Sequence, residues 1–263
     1  MIEFYYILVS LFGACIGSFI NVVRWRIPKN QSLLYPFSYC DKCNSKIKYQ
    51  DNIPILSWLI LKGRCGNCKN NIDISYPMIE LMTSGLFVLN SFRPNYFYFK
   101  DEFISLIILC IFTSLLISIS LIDLDTLTIP NIIIYLGSLT GFVSILIINE
   151  FSGAVGLVIF TRILSAVIGF LIVELIVLIF YLITGKMAFG AGDSKFIALL
   201  GIWLGLKGML FSLLLAIYIS GIFCIIGLML SWFKRSDKIP FGPFISLGAY
   251  SVVMLGENIF NIF

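Results

Sequence analysis

Apolar residues run along this chain in unbroken Ile, Leu and Phe blocks, and short polar joints set the blocks apart. The blocks fall at residues 4–23, 78–92, 103–122, 131–149, 157–183, 194–206, 209–232 and 240–262, with the second and sixth short. A block of about 20 residues at ~1.5 Å per residue crosses the ~30 Å hydrocarbon layer of a bilayer as an α-helix. Strands of a membrane barrel would instead alternate in short segments, so each block is expected to satisfy its backbone polar groups internally, as helix. Only residues 24–77 depart from the pattern. The expected fold is an all-α polytopic membrane protein of about eight transmembrane helices with a small polar insertion. Its expected organisation is a first helix (1–23), the insertion (24–77) and a transmembrane core (78–263).

Composition agrees: 59% of the 263 residues are hydrophobic and 12% charged, against about 25% charged in an ordinary soluble domain. Met1-Ile2-Glu3 carries no basic n-region, and no small-residue cleavage site follows, so the first block is expected to be a retained helix. Eight spans put both termini on one side and sort the joints into two sets. One set holds Arg24, Arg26, Lys29, Lys42, Lys46, Lys48, Lys62, Arg64 and Lys69, joined by Lys186, Lys195, Lys234, Arg235 and Lys238; the other holds Arg93, Lys100, Arg162 and Lys207. By the positive-inside rule, residues 24–77, 123–130, 184–194 and 233–239 are expected to face the cytosol, with both termini outside. Attraction to anionic lipid is sufficient to account for the net charge of +4, and nucleic-acid binding is not indicated.

Four of the seven cysteines lie in the insertion as two CxxC pairs, Cys40 with Cys43 and Cys65 with Cys68, 21 residues apart. This is zinc-ribbon spacing, in which four thiolates close a tetrahedral structural site. Two disulfides are the competing reading, disfavoured in a reducing cytosol. A 54-residue insertion is too small to rely on an apolar core, and a metal would explain how it folds. Cys15, Cys110 and Cys224 lie within apolar blocks and read as small buried hydrophobes.

The chain has no histidine. Histidine-based hydrolases and HExxH metalloproteases are therefore excluded, and carboxylates become the leading acid–base candidates. Asp123, in DLDTLTIPN, and Asp193, in FGAGDSK, stand at the cytosolic ends of apolar blocks, where a charge is costly unless it has a use. Two carboxyls within hydrogen-bond reach share one proton: the ionised partner activates water while the protonated one polarises a peptide carbonyl. For either aspartate alone, an N-cap is the competing reading. Gly190 and Gly192 would permit irregular backbone and close approach of a peptide. Pro130 opens the fourth span, so the segment from Asp123 to Ile129 is expected to be a non-helical re-entry lining the site.

In order along the chain, GSFINVVRWRIP (Gly17 to Pro28), the two CxxC pairs around NIPILSWLILKGRC (Asn52 to Cys65), YPMIEL (Tyr76 to Leu81), DLDTLTIPN (Asp123 to Asn131), TGKMAFGAGDSKFIALLGIWLG (Thr184 to Gly205) and IPFGPFISLGA (Ile239 to Ala249) resemble the type IV prepilin peptidases. These are GxGD-type membrane aspartyl proteases that double as N-methyltransferases. The resemblance spans nearly the whole chain. It implies that Asp123, seven residues before the Pro, and Asp193, the Asp of GxGD, are catalytic. It implies removal of the basic leader of prepilin or pseudopilin substrates at the cytoplasmic face of the inner membrane. Methylation of the new N-terminus with S-adenosylmethionine would follow. Met187 and Ala188 replace the acidic residue and Gly that many members carry after TGK, and no glycine-rich nucleotide loop is visible.

Four further charged residues have open readings. Glu80 fits the family pattern or pairs with a basic loop residue. Asp125 modulates the pair or is a solvated loop residue. Lys195 depresses the Asp193 pKa or snorkels to the interface. Glu174, mid-block among Ile, Val and Leu, is functional or makes a buried hydrogen bond, and is expected to be protonated or turned into the bundle. A proton- or cation-coupled transporter with a structural zinc module is the alternative from another class, although no inverted repeat is visible. A zinc-dependent membrane scaffold would leave both aspartates without a purpose.

Overall fold

In a computed structural model the described residues are 2–92, 102–148, 155–185, 190–234 and 237–256. Arg93, Lys100, Lys186, Met187, Ala188 and Arg235, which entered the charge comparison or the family resemblance, lie outside them. The described residues form eight α-helices, α1 (Ile2–Arg26), α2 (Leu56–Ile60), α3 (Ser75–Ser91), α4 (Glu102–Thr126), α5 (Asn131–Ile148), α6 (Val155–Thr184), α7 (Ala191–Met229) and α8 (Gly242–Leu255). Their only strand-like pairings are two isolated bridges, Tyr39 with Lys46 and Arg64 with Asn71. α1, α4, α6 and α7 are long and apolar enough to cross a membrane, while α5 and α8 are shorter apolar helices. The all-helical membrane architecture read from the apolar blocks is thus what the chain adopts.

The chain divides into two compact units, Met1–Pro94 and Asn95–Phe263. In the first, α1 packs along α3. Gly13 and Gly17, one helical turn apart, make this possible: a Cβ on either would lie 2.8 Å from Ser84 Cα or 2.7 Å from Glu80 Cα. Small residues at this spacing let two helices approach where lipid supplies no hydrophobic drive. Glu3 in the first turn of α1 and Arg24 and Arg26 in its last complement the helix dipole. The Asp73 carboxylate accepts the Ser75 N–H at 2.6 Å, which starts α3 and holds the Asp73 carboxyl below its usual range.

In the second unit α7 is central, packed on α5, α6 and α8, and α8 also lies against α4. Two polar side chains inside the bundle are satisfied across it. Trp203 Nε1 donates to the Gly137 carbonyl at 2.9 Å, and Ser246 Oγ to that of Leu116 at 3.2 Å. The expected spans 194–206 and 209–232 join in α7, whose helical path breaks at Gly205 (φ 71°, ψ −176°), a left-handed conformation that glycine adopts without a Cβ penalty. The break strands a helix-end carbonyl, and Arg162 answers it: Nη1 donates to the Trp203 carbonyl at 3.1 Å. Arg162 was counted as a charge of the outer joints. It is in fact a half-buried residue of α6, so its removal from that count sharpens the asymmetry between the two sets.

The re-entry expected from Asp123 to Ile129 is non-helical only at residues 127–129. α4 continues through Thr126, Leu127 N–H closes its last turn on the Asp123 carbonyl at 2.9 Å, and Leu127 takes φ 53° to leave the helix. Thr126 Oγ1 bonds back to the Ile122 carbonyl at 2.8 Å and pairs with Thr128 Oγ1 at 2.8 Å, which holds that turn together. Pro130 restricts only its neighbourhood at the start of α5, too far along the chain to unwind Asp123.

Candidate active site and metal centre

Asp123 occupies the last turn of α4 and is 5% exposed; Asp193 occupies the first turn of α7 and is 8% exposed. The fold brings these two, 70 positions apart in sequence, within electrostatic reach of each other. Each carboxylate is met by one backbone N–H at Oδ2. Asp193 Oδ2 accepts from Gly190 at 3.0 Å while the Asp193 N–H returns to the Gly190 carbonyl at 3.0 Å. Asp193 therefore caps its own helix and sits where the dipole favours an anion. Asp123 stands at the unfavourable C-terminal end of α4, and the compensation comes from another helix: Gly242, the first residue of α8, donates its N–H at 2.7 Å. No described hydrogen bond engages Oδ1 of either group.

Two close approaches set the pair's surroundings. A Cβ on Gly242 would lie 2.8 Å from Asp123 Oδ2 and 3.1 Å from its Cβ, so only glycine admits the carboxylate. One on Gly192 would lie 2.9 Å from Ile129 Cβ, so glycine lets α7 start against the α4–α5 turn. Gly190 is different. Its backbone is extended (φ −75°, ψ 151°), which any residue adopts, and a Cβ there would meet nothing closer than Asp193 Oδ2 at 3.7 Å.

Asp125 is exposed on α4, two residues from buried Asp123. Lys195 Nζ donates to Asn131 Oδ1 at 2.8 Å, fastening the start of α7 to the residue after Pro130 instead of reaching Asp193. Glu174 is half-buried on α6, and no described interaction joins it to the aspartate pair. Glu80, 8% exposed on α3, accepts the Ile55 N–H at Oε2, 2.7 Å, with Ser18 as a further partner; its partners are a backbone amide and a hydroxyl, not a basic residue. Gly242 went unassigned in the sequence, although the run IPFGPF contains it: a glycine beside a proline at a helix start is the signal of close backbone approach.

The four insertion cysteines converge, with all Sγ atoms within 4.8 Å of one another and none in a disulfide. Cys40 Sγ and Cys68 Sγ are 3.8 Å apart, the edge of a tetrahedron with metal–sulfur bonds of about 2.3 Å. Each CxxC turn is built alike. Cys40 N–H donates to the Ser45 carbonyl (3.0 Å) and Cys65 N–H to that of Asn70 (2.8 Å), and the residue after each second cysteine, Asn44 or Lys69, takes positive φ. The Ser45 hydroxyl, 2.9 Å from Cys43 Sγ, pulls that thiol down to about 6, and the Cys68 N–H holds the Cys65 thiol below its ordinary value. Desolvation and the three neighbouring thiols push the Cys68 thiol up to about 11 instead. Four thiols so placed are the ligand set a soft divalent metal requires, and the cluster can hold one.

Two buried aspartates, each met by a glycine N–H, and a four-thiol cluster in an all-helical apolar chain define a class: polytopic membrane proteins. Residues 11–93 match the bacterial peptidase A24 N-terminal domain, and residues 110–225 match the type IV leader peptidase family. A prepilin leader peptidase/N-methyltransferase of Aeromonas salmonicida is 32% identical, over 97% of this chain and 92% of its own. Proteins of the same description from Pseudomonas putida (30%; 96% and 91%) and Legionella pneumophila (32%; 98% and 94%) are similarly related. No solved structure gives a significant match. The chain belongs to the type IV leader peptidase family.

Proposed function

We propose that this protein is a membrane aspartyl endopeptidase that removes the leader of prepilin-like substrates at the cytoplasmic face of the inner membrane. The observation that carries the reading is that Asp123 and Asp193 lie within electrostatic reach of each other, each buried and each held by a single backbone N–H at a helix start. Like charges at close quarters do not both ionise cheaply, so one proton serves the pair. The ionised carboxylate takes a proton from water as that water attacks the scissile carbonyl. The protonated partner donates a hydrogen bond to the carbonyl oxygen and then passes its proton to the leaving amine. The two N–H donors fix one oxygen of each carboxylate and leave the other to water and peptide. A transporter has no support among the relatives.

Zinc is the metal we assign to Cys40, Cys43, Cys65 and Cys68. With four thiolates and no histidine the site is closed, so the ion supplies folding energy to the insertion and takes no part in peptide cleavage.

Methylation of the new N-terminus with S-adenosylmethionine is proposed from the resemblance and the relatives' description alone. The depression in the insertion does not suit the donor. Tyr35, Pro36, Phe37, Tyr39, Asn44 and Lys46 line an open depression of about 560 Å³, but the Lys46 ammonium sits 4.5 Å over the Phe37 ring, where it would oppose a sulfonium of like charge. No step is assigned through it.

The test co-expresses a prepilin with wild type, Asp123→Asn or Asp193→Asn at matched membrane levels and follows leader removal. Cleavage by either variant at the wild-type rate overturns that residue's role.

A further inference from the structure

The insertion exposes large apolar side chains that no span explains. Leu34 is 87% exposed, Tyr35 74%, Tyr49 82% and Ile60 77%, with Phe37, Ile53, Leu56 and Leu59 also exposed. Leu56 and Ile60 stand four apart on α2, one helical turn, and exposed Ile53 lies just before it.

Two buried charged residues tie these segments to the ends of the helices that flank the insertion. Arg26, the last residue of α1 and 5% exposed, donates Nη1 to the Ser32 and Leu33 carbonyls (2.9 and 3.4 Å) and Nη2 to that of Pro36 (2.6 Å), which folds residues 32–36 back against the exit of α1. Glu80, in the second turn of α3, holds the Ile55 N–H at 2.7 Å. Ile55 adopts φ 62°, ψ −53°, a strained conformation for a β-branched residue. Such strain persists where surrounding contacts over-determine it, and here it turns the chain into α2.

The end of α1 also carries the marks of a headgroup boundary. Lys29 Nζ lies 2.9 Å from the centre of the exposed Trp25 ring, and Lys46 Nζ lies 4.5 and 5.9 Å from the Phe37 and Tyr49 rings. Aromatic and basic residues together anchor spans at the interface. Residues 24–77 hold nine Lys and Arg against Asp41, Asp51 and Asp73, so an anionic surface is attracted.

We propose that Leu34–Phe37 and the segment bearing Ile53, Leu56 and Ile60 bind lipid, inserted in the acyl boundary of an anionic leaflet and held there by Arg26 and Glu80 respectively. This requires only that α1 spans the bilayer, and it stands whether or not the aspartates cleave peptides.

The test places benzoyl-phenylalanine at Leu34, Ile60 or Lys69 in the full chain, in nanodiscs of phosphatidylglycerol or phosphatidylcholine. Irradiation and mass spectrometry follow. Lipid adducts are expected at 34 and 60 and not at 69, with yields about fivefold higher in phosphatidylglycerol. In Glu80→Ala, adducts at 60 should disappear while those at 34 persist. Adducts only to protein at 34 and 60, or none, overturn the proposal; equal yields in the two lipids overturn its electrostatic part. Persistence of adducts at 60 in Glu80→Ala overturns the anchoring.

Discussion

The two units bury a carboxylate in the same way and to opposite effect. Glu80 in the first accepts a backbone N–H at 2.7 Å from Ile55, 25 positions away, and Asp123 in the second accepts one at 2.7 Å from Gly242, 119 positions away. In the first the donor is a strained loop residue, and the carboxylate on a helix holds the loop in place. In the second the donor opens a helix, and the helix holds the carboxylate in place. One bond length thus serves structure in one unit and, in the function proposed, chemistry in the other, and what decides is which partner is fixed. Substitutions separate the two cases.

The largest effect is expected at the aspartates. Asp193→Asn and Asp123→Asn keep an oxygen for the Gly190 or Gly242 N–H but remove the shared proton, so leader cleavage should fall by about 10²–10⁴-fold. Substrate processing by membranes with matched enzyme levels measures it. The next effect tests the held carboxylate without touching it. Gly242→Ala places a Cβ 2.8 Å from Asp123 Oδ2, and displacement by a few tenths of an ångström or more should cost up to about 10²-fold in cleavage with little change in membrane level. An active Gly242→Ala enzyme would mean that Asp123 need not sit where the bare backbone at 242 places it, and the contrast between the units would dissolve.

The first unit has a different weakness. Cys40→Ser with Cys43→Ser removes half of the thiolates from a set whose Sγ atoms lie within 4.8 Å. Elemental analysis should read about one zinc per chain in wild type and almost none in the variant, with trypsin then cutting the 24–77 insertion. A folded, protease-resistant wild type lacking metal would overturn the assignment. The second unit, which carries no such cluster among its described residues, should keep its helical signal in the same variant.

Much of this was legible in the sequence because hydrocarbon leaves the backbone few choices. Unbroken apolar blocks gave the helices, and CxxC spacing gave the cluster. What escaped involved contacts between distant segments. The charge on Arg162 reads as a loop cation until the break at Gly205 supplies a stranded carbonyl for it. Pro130 suggested an unwound Asp123, but Thr126 and Leu127 close the α4 end locally before the proline acts. Gly190 and Gly192 look alike in the string, yet only Gly192 faces Ile129 closely enough to exclude a side chain. Glu80 gave no hint of its partner, since a backbone N–H has no sequence signature.

The smallest expected effect on cleavage is the sharpest for the comparison. Glu80→Gln keeps an oxygen for the Ile55 N–H and removes only the ionisable group, so the bond weakens by about 1 kcal/mol without disappearing. The released strain at Ile55, φ 62°, should show as faster amide exchange across residues 53–60, with cleavage changed no more than about fivefold. Because the amide cannot exchange a proton, it discriminates between holding and chemistry where an alanine would not. Were Glu80→Gln to stop cleavage as Asp123→Asn is expected to, a carboxyl proton in the first unit would be required for the reaction, and Glu80 would have to be counted with the aspartates instead of with Arg26.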